Sequence, residues 1–197
     1  MPLDFTEQYL RNLAADKVQG DFTPFNKNDV QKVNRYIKGM LGRLSDKKSL
    51  IVDADFHNYG SGFASYINVK LSKKNKSDSI FKQKGNKIEV DTEGVLLYIS
   101  SVAPYWYFGG VKWFSSFVDD KFQRGTMPFL APQDIRKYNK SLWADDIEHV
   151  TRLFEEHRYT LLTEQEVEKS LWFDLDIKAN MGEKPYTVFD CFFHWED

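Results

Sequence analysis

Residues 95–118 read VLLYISSVAPYWYFGGVKWFSSFV, the most apolar and most aromatic run in the chain. Two stretches of Val, Ile, Tyr, Trp and Phe are punctuated by Ala103-Pro104 and Gly109-Gly110, the pattern of β-strands separated by breakers. Val95 to Ser101 reads as one strand. Pro104 lacks an N–H and belongs at a strand start or a break, not inside a ladder. Tyr105-Trp106-Tyr107-Phe108 leads into Gly109-Gly110, and Val111-Lys112-Trp113-Phe114 follows. Two apolar runs around a glycine pair predict a two-residue hairpin, because glycine adopts positive φ without steric cost. Four consecutive aromatic residues place rings on both faces of a strand. One face enters the core; the other has to be covered by a helix, a loop or a partner.

Upstream of this centre, Lys87 to Asp91 predicts a short strand that continues through Glu93-Gly94. Leu50 to Phe56 alternates cleanly, with Val52, Ala54 and Phe56 on one face and Asp53, Asp55 and His57 on the other. Phe63 to Leu71 reads as the next strand, pairing with the first as a hairpin across the turn at 58–62. Residues 72–86, SKKNKSDSIFKQKGN, are basic, polar and glycine-ended, which predicts a mobile loop and the first site of tryptic cleavage. Two helices come before the strands. Residues 4–18 start with a capping-box spacing, Asp4 to Glu7; residues 29–45 follow Asn28 and carry the stripe Val30, Val33, Ile37, Leu41 and Leu44.

Downstream, Pro128 and Pro132 predict an irregular segment over 121–142. A helix follows from Asp145 or Asp146 to about residue 158, then a short strand at 159–162 and a capping box from Thr163 to Glu166. Tyr186 to Trp195 is apolar on both faces, which predicts a buried closing strand. The whole, residues 1–197, reads as one α+β domain. Its antiparallel sheet has about five to seven strands, two N-terminal helices cover one face, and further short helices lie in the C-terminal third.

Composition narrows the function. Hydrophobic residues make up 42% and charged residues 28%, ordinary for a globular chain, while aromatics reach 16%. No run approaches a membrane span, and the N-terminus lacks a basic start followed by an apolar run, so neither a membrane anchor nor a signal peptide is expected. Cys191 is the single cysteine. It excludes an intrachain disulfide and a thiolate zinc site, and points to a reducing, cytoplasmic setting. The net charge of −2 is unevenly spread: residues 1–86 carry 15 basic and 9 acidic side chains, whereas residues 144–197 carry 5 basic and 14 acidic ones. An acidic C-terminal third argues against nucleic-acid binding and suits a basic protein partner.

Motifs for chemistry are sparse. Asp53, Asp55 and His57 share a strand face with neighbours about 7 Å apart, which makes them the catalytic candidates of a metal-dependent hydrolase. The same alternation is also what any half-exposed strand shows. Asp174-Leu175-Asp176 is too short to signify a sugar-transferase motif without a phosphate loop. His149 and His157 lie eight residues apart, not at the i, i+4 spacing of a helical zinc pair. Cys191 and His194 sit in an apolar run, where a thiol is inert and a histidine belongs to the core. No cofactor motif occurs, and no metal or cofactor is expected.

The general character is similar to that of small bacterial cytoplasmic binding proteins, such as immunity proteins that neutralise a toxin partner; this is a likeness of type that no motif carries. The expectation is a non-enzymatic protein-binding module. Tyr105, Trp106, Tyr107 and Trp113 would anchor a basic partner, and Glu155, Glu156 and Glu168 would steer it. The alternatives are the hydrolase and a small-ligand domain with an aromatic-lined pocket.

Overall fold

The computed structural model describes residues 4–57, 60, 62–177 and 184–196. Two strands of equal length form its axis: β5 (Lys87–Ser100) and β6 (Tyr105–Val118). They pair antiparallel without interruption from Lys87↔Val118 to Ile99↔Trp106. The turn between them is therefore residues 101–104, where Ser100 Oγ accepts the N–H groups of Val102 at 3.3 Å and Ala103 at 3.2 Å. Pro104 sits just before β6, as its missing N–H requires.

The glycine pair marks no turn. β6 runs straight through it, and residues 130–138 lie against its edge there. Gly109 bridges Ile135, Gly110 N–H donates to Lys137 O at 2.7 Å, and Arg136 N–H donates to Phe108 O at 2.8 Å. A Cβ on Gly109 would come within 2.4 Å of Asp134 O, and one on Gly110 within 2.7 Å of Lys137 O. The glycines allow a backbone to approach a backbone, the second use of this residue in a strand.

The remaining strands are β1 (Leu50–Asp55), β2 (Phe63–Ala64), β3 (Tyr66–Lys73), β4 (Ser79–Lys84), β7 (Lys121–Gly125), β8 (Thr160–Leu161) and β9 (Trp195–Glu196). The main sheet runs β1-β3-β5-β6-β7; β4 also pairs with β5 and β8 with β6, while β2 and β9 form a separate pair. All these pairings are antiparallel except β6 with β8. One edge of β5 is shared, with β3 against residues 95–100 and β4 against residues 87–92.

Helices cover both faces at one end of this sheet. Strand alternation sends Val95, Leu97, Ile99, Trp106 and Phe108 to one side, under α2 (Val30–Ser45) and α3 (Lys140–Glu156). Leu96, Tyr98 and Tyr107 go to the other, under α1 (Glu7–Ala14) and α5 (Val188–Phe192). A four-residue helix, α4 (Glu164–Val167), begins at the expected Thr163–Glu166 box. The two N-terminal helices thus lie on opposite faces rather than on one. Each has a single apolar stripe and β5–β6 is apolar on both sides, so one helix cannot be spared to double the other.

Three further elements differ from expectation. The 72–86 segment is not one loop: β3 continues to Lys73 and residues 79–84 form β4, turning at Gly85 (φ 62°) into β5. The 121–142 segment begins with β7, reached through Asp119 and Asp120, both at positive φ, the requirement of a two-residue hairpin turn. The expected closing strand is instead α5, capped by Asp190, whose carboxylate accepts Thr187 N–H at 2.7 Å and Thr187 Oγ–H at 2.9 Å. Residues 58, 59 and 61 of the expected turn lie outside the described residues, and the Asp174–Ile177 stretch forms no named strand.

A buried ionic cluster holds α3 to the sheet. The Asp146 carboxylate takes Lys47 at 2.6 Å, Lys73, and Ser49 Oγ at 3.1 Å. The Lys73 ammonium also lies 4.4 Å from the centroid of the Trp143 ring. Burial alone raises the Asp146 carboxyl, but hydrogen bonds and charge from Lys47 and Lys73 outweigh it and hold it below its usual range. A depressed carboxyl contributes stability above its unfolded value and loses it as pH falls. Asp146→Asn should lower unfolding free energy by about 3 kcal/mol near neutral pH, because two ammonium groups lose their partner. Denaturant titrations should show the difference from wild type shrinking on acidification. Gly109→Ala, measured the same way, should cost about 1–3 kcal/mol by pushing residues 134–137 off β6.

Candidate interaction surface

Beyond the helices, the sheet continues as a four-stranded arm ordered β4-β5-β6-β7. Its register sorts the side chains into two faces. One carries Phe81, Val90 and Ser115 in a row, then Gln83, Ile88, Phe117 and Phe122, with Trp113 and Thr92 nearer the body. The other carries Lys82, Glu89, Ser116 and Arg124, then Lys84, Lys87, Val118 and Lys121, with Ile80, Asp91 and Phe114 nearer the body. Apart from Gln83, Thr92 and Ser115 the first face is apolar, and none of its rings joins either core. Phe81 is 46% and Phe122 63% exposed, and Phe117 meets Phe122 edge-on at 5.9 Å. Trp113 is half-buried by its own sheet: its ring lies over Gly94, where a Cβ would stand 2.1 Å from it. The opposite face is held by ion pairs, Lys82 to Asp91 at 3.0 Å and Lys87 to Glu89 at 2.5 Å. At the tip the two turns are tied together by Asn86 Nδ2, which donates to Asp119 Oδ1 at 3.1 Å.

Of the four expected anchors, one lies on this arm. Trp113 does. Trp106 and Tyr107 are wholly buried and offer a partner no surface; Trp106 packs on Phe154 at 4.2 Å, and Tyr107 on Phe193 at 5.0 Å. Alternation places these neighbours in opposite cores, so a run of rings is spent on two interiors. Tyr105 is half-buried against Phe5 and Phe192. Phe81, Ile88, Phe117 and Phe122 were the residues to find; Phe81, Ile88 and Phe122 stand among charged residues in SIFKQK, KIEV and KFQRG, and Phe117 follows a serine pair in WFSSFV.

The expected steering acids stand elsewhere. Glu155 and Glu156 close α3, whereas Asn139 and Leu142 at its start line the crook with Trp113 and Phe114. The length of this 17-residue helix, about 25 Å, separates the acids from the arm. Glu156 is paired with Arg43 at 3.1 Å, and Glu168 is exposed at the end of α4.

The hydrolase candidates do not converge. Asp53 pairs with Lys70 at 2.8 Å, and Asp55 Oδ1 accepts the His57 N–H at 2.9 Å. Among the described residues, no group of three or more His, Cys, Asp or Glu side chains is placed to hold a metal ion. Cys191 is buried, and that burial pushes its thiol up to about 12, far from a nucleophile's range. Among the described residues no helix is long and apolar enough to cross a membrane.

His157 belongs to a satisfied pin between helices. Its Nε2 lies 2.9 Å from Arg43 Nη1 and its Nδ1 3.0 Å from Tyr36 Oη. Arginine can only donate, so Nε2 accepts and Nδ1 carries the proton. Tyr36 Oη in turn donates to His157 O at 3.2 Å. Burial first, and Arg43 second, lower the imidazole below its ordinary 6.5. The unfolded chain therefore takes up this proton first, and the contribution present above 6.5 is lost as pH falls. His157→Gln should flatten the decline of unfolding free energy below that pH relative to wild type. Urea titrations at several pH values would measure it; an unchanged slope would remove the assignment.

Comparison with family models, curated proteins and solved structures found no match to this chain.

Proposed function

We propose that this is a protein-binding module and that its contact surface is the apolar face of the arm. The observation that carries the reading is the row Phe81, Ile88, Val90, Phe117 and Phe122, which lies along one face of four paired strands and outside both cores. Rings held on a paired sheet lose little further conformational freedom on contact, and buried aromatics dominate interface energetics. The reverse face keeps its charges and ion pairs, with Ile80 as its exposed apolar side chain, so the arm offers its mainly apolar face to a partner and its mainly charged face to water.

The acids expected to steer a partner from the end of α3 have a smaller part in this reading. Glu155 and Glu156, about 25 Å from the arm, lie beyond the screening length of roughly 8 Å at physiological ionic strength, whereas the exposed Asp145 stands at the near end of α3. The surface is therefore defined by shape and apolarity, and a basic partner is not required by it. Neutralisation of a toxin is one activity such a module can perform. A single buried thiol suits a reducing compartment, and the cytoplasm is the setting we infer.

A photo-crosslinking residue placed at Phe122 tests the reading in the producing cells. A discrete heavier adduct is expected there and not from the same residue placed at Glu148, which is exposed on α3. No adduct at Phe122, or equal labelling from both positions, would overturn it. An adduct of two copies of this chain would replace a foreign partner by self-association. Phe122→Ser should leave stability within about 0.5 kcal/mol, since the ring is largely exposed, and so separates binding from folding.

A further inference from the structure

A slot beside α5, on the sheet face opposite α2 and α3, has a volume of about 340 Å³. We propose that it binds an alkylammonium group. Six of its lining side chains are aromatic: Tyr66, Tyr98, Phe129, Phe189, Phe193 and Trp195. Aromatic faces carry negative potential and attract cations, most of all where water is excluded. Besides the tyrosines, its ionisable lining residues are Asp190 and His194; among the described residues no lysine or arginine lines it.

The polar contacts around the slot favour the same charge. Asp190 receives both Thr187 donors on Oδ2, leaving Oδ1 without a hydrogen-bond partner among the described residues. His194 is engaged with Asp16, Nε2 to Oδ1 at 2.8 Å, so a second carboxylate stands behind the imidazole. Tyr98 Oη accepts Leu130 N–H at 3.2 Å, which fixes the ring and the wall opposite α5. A neutral apolar ligand would suit the rings but would strip water from Asp190 without replacing it. An anion would meet that carboxylate directly. A cation satisfies both the rings and the carboxylate.

The outer rim is also aromatic. Phe129 and Trp195 stack at 6.0 Å with their planes 9° apart. Phe129 is 39% exposed, whereas Tyr66, Tyr98, Phe189 and Phe193 are each at most 9% exposed. The slot is therefore lined by rings from floor to mouth, and its size lies within the range of small-ligand sites.

The cation can belong to a free quaternary amine or to a lysine side chain, and one experiment distinguishes them. Backbone amide shifts of the lining residues are followed while the protein is titrated with choline, with N-acetyl-lysine amide, and with the uncharged carbon isostere of choline. At least one ammonium compound should shift those residues and bind about tenfold or more tightly than the isostere. Tighter choline binding assigns a free quaternary amine; tighter binding of the lysine compound assigns a protein-borne side chain. Asp190→Asn should weaken the ammonium compound about tenfold by removing the charge. Because Asp190 also caps α5, Phe129→Leu at the exposed rim serves as the second variant and should weaken it as well. Equal binding of the isostere, or no shift of any lining residue with either ammonium compound at its solubility limit, would overturn the proposal.

Discussion

The unbroken ladder between β5 and β6 constrains everything else. Fourteen residues of strand extend for about 45 Å, whereas α2, sixteen residues long, extends for about 24 Å. No helix among the described residues can cover the pair along its whole length. Residues 95–108 are apolar in both parities and receive helices on both sides. Residues 87–93 and 112–118 mix charge with apolar side chains and, among the described residues, meet no helix beyond the first turn of α3, where Trp143 Nε1 donates to Glu93 O at 3.2 Å. The arm is the uncovered remainder of a ladder longer than its helices. Its strands are held by paired backbones and tight turns more than by burial.

Closing the edges of that ladder consumes much of the later chain. The outer edge of β6 is closed piecewise: β8 pairs at Tyr105 and Trp106, the 135–137 backbone at Phe108 to Gly110, and β7 at 115–118. β8 and the 135–137 segment flank α3 in the chain, so the position of α3 matters to both. The Asp146 cluster fixes it, and draws on the end of α2 through Lys47 and on β3 through Lys73. The far edge, β1, has no partner beyond β3 among the described residues and carries Asp53 and Asp55 on one face. Charge on an edge strand discourages pairing with another chain. That role accounts for the alternation that resembled a metal site.

What could be read from the sequence was what burial writes into it. The class, the apolar stripe of α2 and the two-sided centre all follow from periodicity, because each buries a face. β4 and β7 bury little; their residues are exposed, and only pairing with β5 and β6 makes them strands. Gly109-Gly110 misled for a related reason: a glycine pair permits a turn or a close approach, and only the fold shows that residues 134–137 arrive there. α5 was legible in principle, since Thr187 and Asp190 stand at the spacing of a cap, but its apolar residues on every side read equally well as a buried strand. The candidate surface was missed by looking for rings where they are densest. Density marked the two cores, and the exposed rings lie where aromatics alternate with lysine.

The arm and the slot share one face of the sheet and are joined by a short piece of chain. Register places Phe81, Ile88 and Phe117 on the same side as Tyr66 and Tyr98. Thr126 anchors the near end of the connection: its N–H donates to Phe114 O and its Oγ1 accepts Phe114 N–H, both at 2.9 Å. Leu130 anchors the far end through its N–H to Tyr98 Oη. Met127 and Phe129 between them are exposed, and Phe129 forms the rim of the slot. Two fixed points so close leave the intervening residues little freedom to move independently. A partner laid along the arm and extending past β7 would meet Met127 and Phe129 next. Contact at the arm and occupancy of the slot would then bear on the same three residues, 127–129, a physical route by which each could alter the affinity of the other.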